Sequence, residues 1–217
     1  MLGLIWKDLI NLKKNVKIFS ILAVLYGFMA FMSADASFFS SMFTMLIAIL
    51  TLSVYSYDEL ARWDIYALTM PVSREDIVRG KYIIMLLLTL IGSVLGTLST
   101  IAIQMIQKGT PALYGIENAW FGGAIVILFY SVALPFITKL GVEKARLIFF
   151  VIYLIPFGII YFVGKAVEAG NMVIPDALIR LAHQVMDHIA VLTPIVLIVA
   201  LFISYSVSLK VYRQKEF

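Results

Sequence analysis

YDELARWDIYALTMPVSREDIVRGKY, residues 57–82, is the longest markedly polar stretch in a chain otherwise dominated by apolar side chains. Between Asp58 and Lys81 it holds 9 of the 30 charged residues, and long apolar runs flank it on both sides. Trp63 and Tyr66 sit about one helical turn apart, Pro71 stops the first helical pattern, and Ser73 with Asp76 has the spacing of a capping box, with Asp in place of Glu. Leu60, Trp63, Ala67 and Met70 share a face, so the spacing predicts a helix from about Asp58 to Met70, with a turn at Pro71–Arg74. Such a segment between two membrane spans reads as a docking element facing water. The plainer alternative is an interfacial loop resting on lipid.

Working outward, the 217 residues are 62% hydrophobic and 14% charged, with a mean hydropathy of +1.00. Soluble domains are about 45–50% apolar and about 25% charged. A soluble core could not hide this much apolar surface, whereas lipid can, so the composition specifies an integral membrane protein. The absence of cysteine excludes disulfides, thiolate metal ligands and thiol nucleophiles. Met1–Asn15 lacks the apolar core and small-residue cleavage site of a signal peptide.

In chain order, residues 1–17 read as an interfacial helix, with Leu2, Ile5, Trp6, Leu9, Leu12 and Val16 on one face and Lys7, Asp8, Asn11 and Lys14 on the other. Spans are expected at about 18–33, 38–56, 81–106, 119–138, 147–163 and 189–211. A tight turn with Asp35, a loop at 107–118, a basic loop at 139–146 and a polar insert at 164–188 separate them. The insert patterns as an amphipathic helix through Leu178, Leu181 and Val185. The expected fold is therefore an all-α integral membrane protein, a single transmembrane domain of six helices. The coupling region is residues 57–73.

Lys and Arg distribution orients these spans. With the N-terminus inside, the leader, the 57–82 stretch, the 139–146 loop and the tail take every Lys and Arg except Lys108, Lys165 and Arg180. That asymmetry is strong by the positive-inside rule and places both termini in the cytoplasm.

The predicted spans carry no Asp, Glu, Lys, Arg or His in their central portions. Charges at membrane depth usually mark proton relays or ion pathways, so coupling to protons or sodium is disfavoured. There is no Gly-rich nucleotide-binding loop ending in Lys-Ser/Thr, and no nucleophile–base pair at membrane depth. His183 and Asp187 have a one-face helical spacing but no third ligand beside them, which favours polar positions on a surface helix over a metal site. The expectation is a chain that is not an enzyme and holds no metal or cofactor. Gly92 and Gly96 form a GxxxG pattern, which serves either packing within one chain or approach of a second. Gln104 is the one strongly polar side chain of that span, able to bond a neighbour or to touch cargo.

Glu59, Trp63, Tyr66, the run Leu68-Thr69-Met70-Pro71-Val72-Ser73-Arg74 and the run Ile77-Val78-Arg79-Gly80-Lys81-Tyr82 resemble the membrane subunit of bacterial ABC transporters of the type-two, exporter-like permease class. The leader, six spans and inside termini fit that class along nearly the whole chain, and Met70 stands where Leu is common. The short subclass of this length is similar to exporters of phenol-soluble modulins and to bacteriocin-immunity permeases. The resemblance implies two copies of an ABC ATPase subunit that supply ATP and Mg, and a second six-span permease subunit, a homodimer over a heterodimer. It implies residence in the bacterial cell membrane, with no nucleic acid as partner. It also implies a coupling helix at the ATPase interface, formed here by Asp58, Glu59, Arg62, Trp63, Asp64, Tyr66, Leu68, Thr69, Pro71, Ser73 and Arg74. Asp58, Glu59 and Asp64, with Arg62 and Arg74, would set the register of docking. Amphipathic toxin or antimicrobial peptides are the cargo that the subclass suggests. The alternative from another class is a membrane sensor, scaffold or immunity protein that binds a soluble partner through residues 57–73.

Overall fold

The computed structural model describes residues 2–32, 37–108, 116–169 and 188–215, with isolated positions at 175, 180 and 184. The predicted turn around Asp35, the centre of the 107–118 loop and most of the 164–188 insert, including His183 and Asp187, lie outside the described residues.

Every described element is helical, with no strand among them. Helix α1 spans Leu2–Leu12, and a 3-10 turn at Lys13–Asn15 joins it to α2, Val16–Met32. Then come α3 (Ser37–Ala48), α4 (Leu50–Leu60), α5 (Trp63–Thr69), α6 (Arg74–Lys108), α7 (Ile116–Leu140), α8 (Val142–Glu168) and α9 (Ile189–Gln214). Five stretches are long and apolar enough to cross a membrane: Gly3–Met32, Ser40–Leu60, Arg74–Gln107, Glu117–Leu140 and Ile189–Gln214. The sixth expected span, 147–163, lies within α8, whose 27 residues make a rod of ~40 Å at 1.5 Å per residue.

The centre of the bundle is α3 packed against α6 and α7. Small residues let these backbones meet. A Cβ placed on Gly96 would lie 2.7 Å from the Ser40 carbonyl oxygen, and one on Gly92 would lie 3.1 Å from the Thr44 backbone. On α7, a Cβ on Gly122 would meet Ser41 at 2.8 Å, and one on Gly123 would meet Ser93 Oγ at 2.6 Å. The GxxxG pattern is thus used inside this chain, against α3. In lipid no hydrophobic driving force gathers helices, so close backbone approach and interhelical hydroxyl bonds hold them. Thr44 Oγ1 donates to the Ser40 carbonyl at 3.1 Å and lies 3.4 Å from the Ala119 carbonyl of α7. Gln104 is buried in the bundle rather than presented to a pathway.

The second span is interrupted at Ile49. Leu52 N–H bonds the Ile49 carbonyl at 3.0 Å, and the Ala48 carbonyl accepts the Tyr130 hydroxyl of α7 at 2.8 Å instead. A freed carbonyl in an apolar medium is tolerated where a neighbouring side chain satisfies it. Helix α9 joins the other side of the bundle, where the Tyr82 hydroxyl lies 2.6 Å from Ser204 Oγ and 2.9 Å from Ser208 Oγ. Most of the described apolar side chains of α2, α8 and α9 remain exposed, as lipid-facing residues do.

The leader departs from its expected orientation. Asp8 and Leu12 are buried and Leu4, Ile5 and Leu9 pack inward, whereas Trp6, Ile10 and Val16 point away from the bundle. Periodicity placed Asp8 on the outer face. It turns inward because two lysines of the bundle end receive its carboxylate.

A candidate coupling site at the basic end of the bundle

The ends of α4, α7 and α9 and the starts of α1, α6 and α8 gather around residues 57–74. The predicted single helix Asp58–Met70 is instead two helices. Ala61 N–H bonds the Tyr57 carbonyl and Arg62 N–H bonds the Glu59 carbonyl, closing α4. Arg62 then takes a left-handed conformation, φ 48°, and the chain restarts as the seven-residue α5. Only a residue held by its surroundings keeps that region without being glycine. At the other end of α5, Val72 N–H bonds the Met70 carbonyl at 2.7 Å across Pro71, a γ-turn.

Ser73 then caps α6. Its hydroxyl lies 2.7 Å from Asp76 Oδ2, the Asp76 N–H donates to Ser73 Oγ at 3.0 Å, and the Ser73 N–H donates to Asp76 Oδ2 at 3.3 Å. This is the reciprocal capping arrangement that the Ser73–Asp76 spacing describes.

Four charges form a ring beneath α5, three of them buried and Lys7 part exposed. Lys7 Nζ lies 2.8 Å from Asp8 Oδ1 and 2.7 Å from Asp58 Oδ1. Lys81 Nζ lies 3.1 Å from Asp8 Oδ2 and also bonds Asp58 Oδ2. Asp8, Asp58 and Lys81 are all buried. Charges this far from water are stable only when paired and hydrogen-bonded, which explains the two-on-two arrangement. Lys7 also stands 4.3 Å over the Trp63 ring and Lys81 5.3 Å from the Tyr55 ring centre. The ring therefore joins α1, α4, α5 and α6.

Three further contacts fasten the neighbouring helix ends. Glu59 Oε2 accepts the Val142 N–H at 2.7 Å, capping α8 from another helix. Asp64 accepts the Tyr212 hydroxyl at 3.0 Å and faces Lys215 Nζ at 3.8 Å, tying α5 to the end of α9. Arg74 Nη1 donates to the carbonyls of Tyr212, Arg213 and Lys215 at 3.3, 2.5 and 3.3 Å. A guanidinium at the C-terminus of α9 satisfies its last carbonyls and complements its dipole.

The sequence-proposed residues therefore divide. Asp58 is not part of an outward acidic face, because it is buried in the ring. Glu59, Asp64 and Arg74 bond within the chain, Ser73 caps α6, and Trp63 and Leu68 pack on the main core. Thr69 Oγ1 donates to the Tyr66 carbonyl at 2.7 Å. Arg62, Tyr66 and Pro71 are exposed. What faces outward is an apolar ridge: Leu60 is 82% exposed and Tyr66 61%, with Ile65 and Met70 beside them. Sequence reading missed Lys7, Asp8 and Tyr212. Asp8 had a signal, since it falls one turn from both Leu4 and Leu12.

Gly141 gives a sharp test of this frame. Its φ is +81°, and a Cβ there would stand 2.5 Å from Glu59 Oε1. Gly141→Ala should lose about 1–3 kcal/mol of stability, from strain at an unfavourable φ plus displacement of the cap. Thermal unfolding in detergent reads it, and an unchanged melting temperature would show that the Glu59 cap is dispensable.

A cavity of about 200 Å³ lies behind the ridge, among Tyr55, Asp58, Glu59, Lys81, Gly141 and Tyr212. Among the described residues no three His, Cys, Asp or Glu side chains gather as a metal site. The arrangement can transmit force. Asp64 and Trp63 tie α5 to α9 and α1, Asp58, Glu59 and Arg74 fasten the helix ends on either side of it, and Leu60, Ile65, Tyr66 and Met70 are left exposed.

A family model described as an ABC-2 family transporter protein matches residues 3–213. No curated protein and no solved structure matches the chain.

Proposed function

Because the chain belongs to the ABC-2 family of transporter proteins, we propose that it is the permease subunit of an ATP-driven exporter and that the ridge Leu60–Ile65–Tyr66–Met70 receives the ATPase subunit. The observation that carries this reading is the pairing of an exposed apolar ridge with a rigid base. Asp58 is bonded into α1 and α6, Glu59 into α8 and Asp64 into α9, so a push on α5 and the end of α4 reaches helices on both sides of the bundle. A flexible loop would absorb the same push.

In this reading the docking energy comes from apolar and aromatic surface, with Arg62 at its edge, rather than from the acidic face expected from sequence. Buried aromatic anchors supply most of the affinity at interfaces of this kind. ATP and Mg belong to the partner ATPase, two copies of which serve a pair of permease chains in a homodimer. Helix α8 serves as the sixth span, both termini lie in the cytoplasm of a bacterial cell, and residues 57–74 face the ATPase. Amphipathic peptides are the proposed cargo, on the subclass resemblance alone.

The test is reconstitution with the cognate ATPase. Tyr66→Ala should weaken co-purification of the ATPase by roughly 30-fold, the factor for about 2 kcal/mol at an interface anchor, and should abolish stimulation of ATP hydrolysis by the membrane subunit. The same chain should keep its melting temperature, because Tyr66 contributes little to the bundle. Unchanged stimulation would remove the ridge from the coupling path. A soluble partner that binds the ridge without ATPase activity would support the sensor reading instead.

A further inference from the structure

Helices α7 and α9 run in the same direction, since α7 ends beside Glu59 at Gly141 and α9 ends beside Asp64 at Tyr212. Between them runs a groove of about 580 Å³, walled by side chains from Leu128 to Lys139 on α7 and from Ala200 to Val211 on α9. Each wall spans twelve residues, whose steps of 1.5 Å add up to ~16 Å. That is half of a hydrocarbon core of about 30 Å, so the groove is as deep as one leaflet and as long as one acyl chain.

The groove is apolar along its length. Phe136 and Val207 are exposed on its two sides. Its hydroxyls are turned to other partners: Ser204 bonds the Tyr82 hydroxyl, and Ser131 donates to the Ile127 carbonyl at 2.7 Å. Pro135 lies within α7 at the same level, where it removes a backbone donor and bends the wall.

One charged residue lines the groove, and it stands at the mouth. Lys139 is exposed and makes no hydrogen bond or ion pair with any described residue. Lys210, one turn beyond Val207 on α9, is likewise exposed and without such a partner. Five other cations at this end, Lys7, Lys81, Arg79, Arg213 and Lys215, have carboxylate partners. A helix of a second copy would need an apolar stripe across the whole contact, whereas this groove ends on a cation. A lysine at headgroup level above an apolar slot matches the two ends of an anionic lipid.

We propose that the α7–α9 groove is a binding site for an anionic phospholipid of the leaflet at the 57–74 end, with an acyl chain along the groove and the phosphate on Lys139. The site requires only that the chain lie in a membrane and does not depend on the permease reading.

The experiment is native mass spectrometry of the full chain in neutral detergent, offered phosphatidylglycerol or phosphatidylcholine with identical acyl chains. Wild type should retain phosphatidylglycerol about fivefold better, the factor for about 1 kcal/mol from one cationic side chain at the headgroup. Lys139→Gln should bring the two lipids close to parity, and Lys139→Arg should keep the preference. Ala200→Phe, which fills the groove, should lower retention of both lipids. Val207→Phe is the second filling variant, and the melting temperature of each variant selects those that are folded. An unchanged ratio in Lys139→Gln overturns the proposal. So does unchanged retention in both filling variants, which would mean attraction to the headgroup alone. Loss of dimer at unchanged lipid retention would assign the groove to a second copy, and displacement of the lipid by excess inorganic phosphate would reduce the site to a free-anion site.

Discussion

Lys81→Gln should lower the stability of this protein by about 3–5 kcal/mol, because it leaves two buried carboxylates to share one lysine. Asp8 and Asp58 are both ion-paired with Lys7 and Lys81 in the native ring. Without Lys81 their repulsion is no longer fully offset, and their burial leaves little hydration to compensate. The informative comparison is the double variant Asp8→Leu, Lys81→Leu. It removes one charge of each sign and leaves the Lys7–Asp58 pair at 2.7 Å. Replacing a whole buried pair by apolar side chains is often close to neutral, so the double variant should be more stable than Lys81→Gln. Thermal unfolding in detergent measures both. If the double variant were as unstable as the sum of its single changes, the ring would be acting as independent contacts and the coupling described here would be wrong.

Gly96→Leu should prevent the bundle from closing, and Gly158→Leu should be tolerated. Even the first carbon of a side chain on Gly96 would stand 2.7 Å from the Ser40 carbonyl oxygen, whereas a Cβ on Gly158 meets nothing within 4 Å. The obstacle at Gly96 is backbone, which cannot rotate aside. Inserting atoms into a packed interior costs about 1–3 kcal/mol where the neighbours can adjust, and a leucine against backbone should exceed that range. Gly158 lies on α8, whose described apolar side chains, Leu154, Ile155 and Ile159 among them, are exposed, so a leucine there meets lipid. Yield of monodisperse protein and its melting temperature separate the outcomes. Equal behaviour of the two variants would mean that α3 and α6 do not pack through Gly92 and Gly96.

Both predictions rest on features that the sequence presents but does not join. Membrane class follows from composition alone, because no soluble core could bury so large an apolar fraction. Helix placement follows from apolar runs, since lipid offers the backbone no hydrogen-bond partner and a helix supplies its own. The start of α6 was legible in Ser73 and Asp76, and the family in the residues around Pro71, because those patterns are local. Even the fact that Gly92 and Gly96 allow close approach needed no coordinates.

Tertiary structure decided which partners those residues meet. The GxxxG pattern could have served a second chain, and α3 takes it because Ser40 and Thr44 present an equally small face. Asp8 seemed to belong with water until Lys81, 73 positions away in sequence, came within bonding distance. The acidic residues around α5 read as a docking face because a sequence does not show that Val142 and Tyr212 arrive beside Glu59 and Asp64. The helix expected at Asp58–Met70 broke at Arg62, since contacts on both sides hold that residue in a conformation its own preference disfavours. For the 57–82 stretch, the sequence alone determined that it is polar, helical and placed at the end of a membrane bundle. The fold decided that Asp58 and Lys81 turn inward, that Glu59, Asp64 and Arg74 fasten neighbouring helix ends, and that Leu60, Ile65, Tyr66 and Met70 stay exposed, because long-range pairing, not local periodicity, satisfies a buried charge.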